Sequence, residues 1–183
     1  MYISRSIISL QGDTESDLVA KVEAAHASRR EADGFRWSML LRSMDNASEF
    51  ASVSMWLTPE HEQAWREAND APAAMHGYDV TTARGAMTPA AAAAMADWQA
   101  DAAEAAHFAA RWNAAYHAIE DVFGSRLLQD LESPSHYTGL HVVTDAARLD
   151  PKVLSAEMSD VDGLAITPLA VQRYDVVLLT EAP

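Results

Sequence analysis

The feature that most constrains the fold is a pair of alternating segments between residues 35 and 57. In FRWSMLLRS, which begins at Phe35, apolar residues occupy every second position, with Leu40 as the exception. That period is typical of a half-buried strand. The turn MDNAS follows, and EFASVSMWL then alternates in the same way. Two such segments joined by a short turn predict an antiparallel hairpin with one face against helices.

The residues before this hairpin predict a strand and a helix. Residues 2–10 are rich in Ile and Ser, as strands can be, and a helix is expected to start at Thr14. The hydroxyl of Thr14 and the carboxylate of Asp17, three residues later, fit a capping box. We expect this helix to end at Gly34.

The residues after the hairpin predict a second helix and one more strand. Thr58 can cap the helix, and Pro59 takes its first position, where no amide donor is needed. Residues 77–87 form the next strand-like segment. Residues 1–87 therefore have the order β-α-β-β-α-β, which predicts a ferredoxin-like half in an α+β fold.

The remaining residues, 88–183, are predicted to form a second, divergent ferredoxin-like half. Thr88 and Pro89 repeat the cap and proline, and an apolar stripe predicts a long first helix that runs to Gly124. A hairpin over residues 125–145 follows. A short helix opened by Asp150 and a closing strand in AVQRYDVVLLT complete the chain.

This reading is one strand short of two complete halves. The eleven residues of 77–87 hold only one strand at about 3.3 Å per residue. Two candidates remain open for the missing strand: the segment GLAITPL at residues 163–169, or the 77–87 strand acting in both halves.

The composition narrows the expected partners and location. The 183 residues carry a formal net charge of -14, which repels phosphate backbones and anionic membranes, so neither nucleic acid nor a membrane is an expected partner. The chain has no Cys. It also has no apolar run of about 18 residues and no signal-peptide pattern at its start, which favours a cytoplasmic location.

The first 87 residues resemble the antibiotic biosynthesis monooxygenase family, whose members are dimeric α+β barrels. The element order, the hairpin ending in SMWL, the TPEHEQAW helix and the strand after His76 carry the resemblance. In that family two ferredoxin-like units pair through their sheets to form a barrel. The resemblance therefore implies a barrel-like arrangement, formed either within one chain or between the two chains of a homodimer.

The resemblance implies an oxygenase that oxidises a small aromatic or quinol substrate with dioxygen and no cofactor. His61 and Trp65 lie four residues apart, on one helix face. By this resemblance His61 is the candidate base, Trp65 shapes the pocket, and Arg84 or Arg42 holds the anion. The other candidates for binding the small hydrophobic or aromatic molecule are Trp56, Trp37 and Tyr78.

Two alternatives stay open. The family also contains haem-degrading enzymes, and Trp65 followed by His76 resembles their Trp and axial His. Those enzymes also use an Asn on the first strand, where this chain has Ser4 and Arg5 nearest, so we expect no cofactor. The second alternative is a non-catalytic binding or assembly protein, in which Trp65 only anchors a helix on the sheet. The histidines of the second half have no third ligand at metal-site spacing, so no metal is expected.

Overall fold

The computed structural model describes residues 1–10, 12, 14–72, 76–100, 103–118, 122–149 and 166–183. Two compact units are present, Met1–Asp79 with Val176–Pro183, and Val80–Asp175. None of the helices in the described segments is long and apolar enough to cross a membrane. The described elements, in chain order, are β1 (Tyr2–Ser9), α1 (Glu15–Arg30), β2 (Phe35–Ser43), β3 (Glu49–Trp56), α2 (Pro59–Asn69), β4 (His76–Gly85), β5 (Ala92–Ala100), α3 (Ala105–Ala118), β6 (Val122–Asp130), β7 (His136–Val143), a 3-10 turn (Ala146–Leu149) and β8 (Ile166–Glu181).

The first unit has the predicted ferredoxin-like order of elements. Its antiparallel strands lie in the order β4, β1, β3, β2, and the end of β8 lies beside β2. The capping box at the start of α1 is confirmed, since the Asp17 amide donates to Thr14 Oγ1 at 3.2 Å. Thr58 takes the N-cap position of α2, but its hydroxyl makes no capping bond there. The predicted α+β fold is confirmed in this unit.

The hairpin of β2 and β3 is buried on both faces. Met39 pairs with Val53, and Leu40 pairs with Ser52, so that neighbouring residues of β2 point to opposite faces. Met39, Leu40 and Leu41 are nevertheless all fully buried. The exception that Leu40 makes in the alternating pattern therefore reflects burial on both sides of the sheet.

The second unit contains the main correction to the sequence analysis. The helix predicted from Thr88 to Gly124 is wrong, because residues 92–100, AAAMADWQA, form strand β5, and α3 begins only at Ala105. Strand β5 pairs with both β7 and β8, and its small side chains are buried. Tertiary burial between two strands here outweighs the helix propensity of Ala.

Strand β5 also resolves the missing strand of the second half. The strands of this unit lie in the order β8, β5, β7, β6, so the second unit has the same ferredoxin-like order as the first. The closing strand is confirmed as β8, which contains the 166–169 part of the candidate segment GLAITPL. The helix predicted at Asp150 and residues 163–165 lie outside the described residues.

The core of the second unit is aromatic. Trp98 on β5, Phe108 and Trp112 on α3, and Tyr137 on β7 form one buried cluster with Leu127. The rings of Phe108 and Tyr137 meet edge to face, with centroids 5.3 Å apart. These large rings pack against the alanines of β5, which leave room for them above the sheet.

Candidate functional site

A cleft of about 350 Å³ lies in the first unit between the sheet and its two helices. We call it the sheet–helix cleft. Its sheet side is lined by serines of β1 and β3, including Ser4 and Ser54, and its helix side by residues of α1 and α2. Alternate residues of a strand share a face, so the polar stripe on these strands points toward the helices. A polar wall thus lies where a packed core would be apolar.

The charges of this cleft contrast with those of the whole chain. Its lining contains three cationic side chains, Lys21, Arg29 and Arg66, and one carboxylate, Glu62. The chain as a whole carries a charge of -14. A cleft with an excess of positive charge concentrates anions even in an acidic protein. The sheet–helix cleft is therefore suited to an anionic ligand.

Arg29 supplies hydrogen-bond donors that have no acceptor. Its guanidinium carbon lies 4.5 Å from the centroid of the Trp65 ring, in a cation–π contact. Its Nε and Nη1 atoms are buried and have no hydrogen-bond partner among the described residues. Burial lowers the pKa of Arg29 to about 10, and the nearby Glu62 opposes this shift, so Arg29 remains charged at neutral pH. Buried donors of this kind call for an acceptor supplied from elsewhere.

Glu62 is the carboxylate of the cleft, and it is almost fully buried. It forms an ion pair with Arg66, one helical turn later. The hydroxyl of Tyr2 also interacts with this pair, and burial, followed by the charge of Glu62, raises the pKa of Tyr2 to about 12. Tyr2 therefore remains protonated at neutral pH and supplies a further polar group beside Glu62.

A hydrogen-bonded chain fixes the serine wall. The Oγ atoms of Ser4 and Ser54 lie 2.9 Å apart, and the indole Nε1 of Trp56 donates to Ser54 Oγ at 3.0 Å. Ser4 and Ser54 are each only 4% exposed, and Trp56 is fully buried. The substrate-binding candidate Trp56 thus lies beside the serines on the helix-facing side of the sheet, contacts Ser54 and packs on Trp65.

His61 and Trp65 both line a second cleft of about 510 Å³, which we call the helix–helix cleft. Its described lining comes from α1, α2 and the turn after α1, with no residue of the sheet. The shared helix face is confirmed, but the expected cavity between α2 and the sheet is not the one that His61 reaches. His61 Nδ1 lies 2.9 Å from Thr58 Oγ1, and its ring packs so closely on Gly34 that a Cβ there would clash.

Trp65 forms part of the wall of both clefts. It is 7% exposed, its ring packs at 5.9 Å from the ring of Trp56, and its Nε1 donates to Ser28 Oγ at 2.9 Å. Trp65 therefore combines the two roles that the sequence left open, since it belongs to a buried aromatic cluster with Tyr2 and Phe35 and also borders open space.

The other sequence-predicted site residues do not line either cleft. Trp37 is buried on β2, Tyr78 is buried on β4, and Arg42 is partly exposed and paired with Glu15 at 3.2 Å. Arg84 belongs to the second unit, where its carbonyl oxygen accepts from Arg126 Nη1 at 2.7 Å. The structure thus brings together His61 with Trp65, and leaves Trp37, Tyr78, Arg42 and Arg84 outside the linings described for the two clefts.

His76 does not fit an axial haem ligand in the sheet–helix cleft. It pairs with Arg5 in the register of β1 and β4, whereas its neighbour Gly77 pairs with Ser4. Paired residues share a sheet face, so His76 points away from the side on which Ser4 lines the cleft. His76 is also exposed. No cluster of His, Cys, Asp or Glu suited to a metal is found in the described part of the chain.

Several residues of the sheet–helix cleft were missed by the sequence analysis. Arg29 precedes another arginine at the end of α1. Basic residues at a helix C-terminus interact favourably with the helix dipole, so nothing in the sequence indicated a further role for Arg29. Glu62 and Arg66 lie four residues apart, which is also the spacing of an ordinary ion pair on an exposed helix surface, so the spacing did not indicate a site. The signal that was available is the serine stripe, because Ser4 of one strand and Ser54 of another are polar at positions where a helix-covered face should be apolar.

A protein-family model matches the part of the chain that forms the two clefts. Residues 1–77 match the antibiotic biosynthesis monooxygenase family. The predicted resemblance is therefore confirmed over this segment, which contains every described residue that lines the two clefts. No curated protein matches the chain significantly.

Solved structures match nearly the whole chain in fold. A proposed monooxygenase of Fusobacterium nucleatum matches with a TM-score of 0.71 and 11% identity, over 98% of this chain and 94% of the other. An anthrone oxidase-like protein matches with a TM-score of 0.62 and 10% identity, over 99% of this chain and 93% of the other. A haem-degrading enzyme of Listeria monocytogenes matches with a TM-score of 0.58 and 8% identity, over 96% of this chain and 99% of the other. At these identities the similarity shows the fold alone.

Proposed function

We propose that the first unit is a monooxygenase that oxidises a small phenolic or quinol substrate with dioxygen, without a cofactor, in the sheet–helix cleft. The observation that carries the proposal is the cationic cleft in which Arg29 offers buried N–H groups without acceptors. A phenolate oxygen or a reduced oxygen species would supply those acceptors. The family match over residues 1–77 supports the same reaction class.

The reaction starts with the transfer of the phenolic proton to Glu62, the carboxylate of the cleft lining. The phenolate gives one electron to dioxygen, which yields a phenoxyl radical and superoxide. These recombine at a ring carbon that carries hydrogen, and protonation gives a hydroperoxide. Loss of water, with the ring hydrogen and the outer oxygen, leaves a carbonyl. One oxygen atom enters the product and the other leaves as water.

The side chains of the cleft stabilise the charges that form in these steps. In this mechanism Arg29 and Arg66, which line the cleft, stabilise the negative charge that develops on the phenolate and on superoxide, because fixed donors in a poorly hydrated site stabilise such charge strongly. Trp65 offers an apolar wall for the aromatic ring. Arg84, which the resemblance implied as a residue that holds the anion, belongs to the second unit and has no part in this mechanism.

The test is oxygen uptake and product formation with a panel of small quinols, using Arg29→Gln and the matched control Arg30→Gln. Arg30 is exposed and adjacent on the same helix. We expect Arg29→Gln to lower kcat by about 100-fold, as loss of an anion-stabilising donor does, and Arg30→Gln to leave it unchanged. Equal rates in wild type and Arg29→Gln would contradict the proposal.

Two further variants separate the candidate bases and the non-catalytic alternative. Glu62→Gln should abolish turnover, whereas His61→Ala should not, because His61 lines the other cleft. The opposite result would restore His61 as the base predicted from the sequence. Tight quinol binding without oxygen uptake in wild type would instead favour a binding protein on this fold.

A further inference from the structure

We propose that Ser4 and Ser54 act together as a single hydroxyl donor that selects ligands carrying an oxygen acceptor. The inference rests on the proposed function of the sheet–helix cleft and adds a residue pair that determines its specificity. Both serines line that cleft, and both are more than nine-tenths buried. They face each other in the register of β1 and β3, so their side chains share the face that looks toward the helices.

Counting hydrogens shows that one donor remains in this pair. The indole Nε1 of Trp56 can only donate, so Ser54 Oγ must accept from it. The bond between the two serines uses one of their two hydroxyl hydrogens, whichever serine donates. The second hydroxyl hydrogen is left over. The result is the same for either direction of the serine–serine bond.

Neither serine makes a further hydrogen bond within the described residues, so the leftover hydrogen has no bonded acceptor there. The cleft that both hydroxyls line carries three cationic side chains, Lys21, Arg29 and Arg66, and its one carboxylate, Glu62, is already paired with Arg66. An oxygen acceptor on the ligand therefore satisfies the hydroxyl, and an arene without one leaves it unsatisfied. Sites built on such a donor discriminate strongly against analogues that lack the acceptor.

The experiment compares 1-naphthol with 1-methylnaphthalene, which has a methyl group in place of the hydroxyl, by equilibrium dialysis at a pH of 8. The proteins are wild type, Ser4→Ala, Ser54→Ala, the double variant and Arg29→Gln. Ser125→Ala is the matched control, because Ser125 is a fully buried serine of the second unit, outside the cleft lining. Affinity for 1-methylnaphthalene reports whether the cleft itself remains intact.

The hydrogen count predicts a distinctive pattern. Each single variant keeps one hydroxyl hydrogen, so its preference for 1-naphthol should fall by less than about fivefold, whereas the double variant keeps none and should lose about 10-fold to 100-fold. Ser125→Ala should leave the preference unchanged. The double effect should thus exceed the product of the single effects, as for groups that act as one unit.

The remaining outcomes separate the inference from the proposed function. If the double variant keeps the wild-type preference while Arg29→Gln loses it, the serine pair is not the donor and the proposed function stands. If wild type binds neither compound, or binds both equally, both the inference and the proposed function are overturned.

Discussion

In the first unit, the central rung between β1 and β3 carries two serines, Ser4 and Ser54, whereas the equivalent strands of the second unit, β5 and β7, bring Ala94 opposite His141 and Ala96 opposite Gly139. The two units have the same strand order. They differ in what lies above the sheet. Serines and charged groups line a cleft in the first unit, and aromatic rings form a packed cluster in the second.

Gly139 shows how the second unit closes this space. A Cβ at this position would lie 2.8 Å from His141 Nε2 and 3.2 Å from Trp112 Nε1, so the absence of a side chain lets the two rings reach the sheet. The rings of Trp112 and His141 are 5.2 Å apart. In the first unit, Trp65 instead borders two clefts. One strand order thus supports either a packed core or a binding site, and the side chains decide which.

The largest expected effect tests the contrast between Trp112 and Trp65. Trp112 is fully buried, so Trp112→Ala should lower the free energy of unfolding by about 3–5 kcal/mol. Trp65→Ala should cost less, because part of its ring already borders open space. Urea denaturation of both variants measures the difference. An equal cost would mean that Trp65 is only a core residue.

A smaller effect is expected at the glycine that admits the rings. Gly139→Ala should destabilise the protein by about 1–3 kcal/mol, because the added methyl group overpacks a filled core. A glycine of the first unit that also faces an aromatic side chain is Gly77 on β4, where a Cβ would meet the hydroxyl end of the Tyr2 side chain at 2.8 Å. Gly77→Ala should cost less, since a side-chain end can move. If chemical denaturation showed a larger loss of stability for Gly77→Ala than for Gly139→Ala, the contrast in packing would be refuted.

The pH dependence of stability provides a test in each unit, through His26 in the first and His141 in the second. Burial lowers the pKa of each to about 3. The ordinary His pKa is about 6.5, so between pH 6.5 and 3 the unfolded chain binds a proton that the folded chain excludes. Stability should therefore be complete above pH 6.5 and fall with decreasing pH below it, by about 1.4 kcal/mol per pH unit for each histidine.

His26→Gln and His141→Gln test this prediction separately. Each variant removes one titrating group, so each should flatten the loss of stability measured by urea denaturation between pH 7 and 5. Gln is used because His26 Nδ1 lies 3.1 Å from Thr180 Oγ1, and the Gln amide also carries hydrogen-bonding groups. An unchanged slope in either variant would show that the corresponding histidine is protonated in the folded protein.

The first unit could be predicted from the sequence because its local signals agree with its tertiary structure. The Thr14–Asp17 capping box, the alternating hairpin and Pro59 at the start of α2 each specify one element without long-range information. Strand β5 of the second unit could not be predicted, because Ala in residues 92–100 fits a helix or a buried strand equally well by size. Only the pairing of β5 with β7 and β8 decides between them.

The site was predictable only in part. The sequence named Trp65, which lines the sheet–helix cleft, whereas His61, named with it on the same helix face, lines the helix–helix cleft. Arg29 was missed, because its role depends on the distance between α1 and the Trp65 ring, which no local pattern contains. The partnership of Ser4 with Ser54 depends in the same way on strand register over 50 residues of chain.

The most direct test of the anion-binding cleft is the pKa of 1-naphthol bound to the protein, measured by absorbance during a pH titration with saturating protein. The excess of positive charge and the unpartnered donors of Arg29 should stabilise the naphtholate. The bound pKa should therefore lie below the pKa in solution by about one unit or more, and Arg29→Gln should remove most of this shift while Arg30→Gln keeps it. A bound pKa equal to or above the solution value would contradict the account.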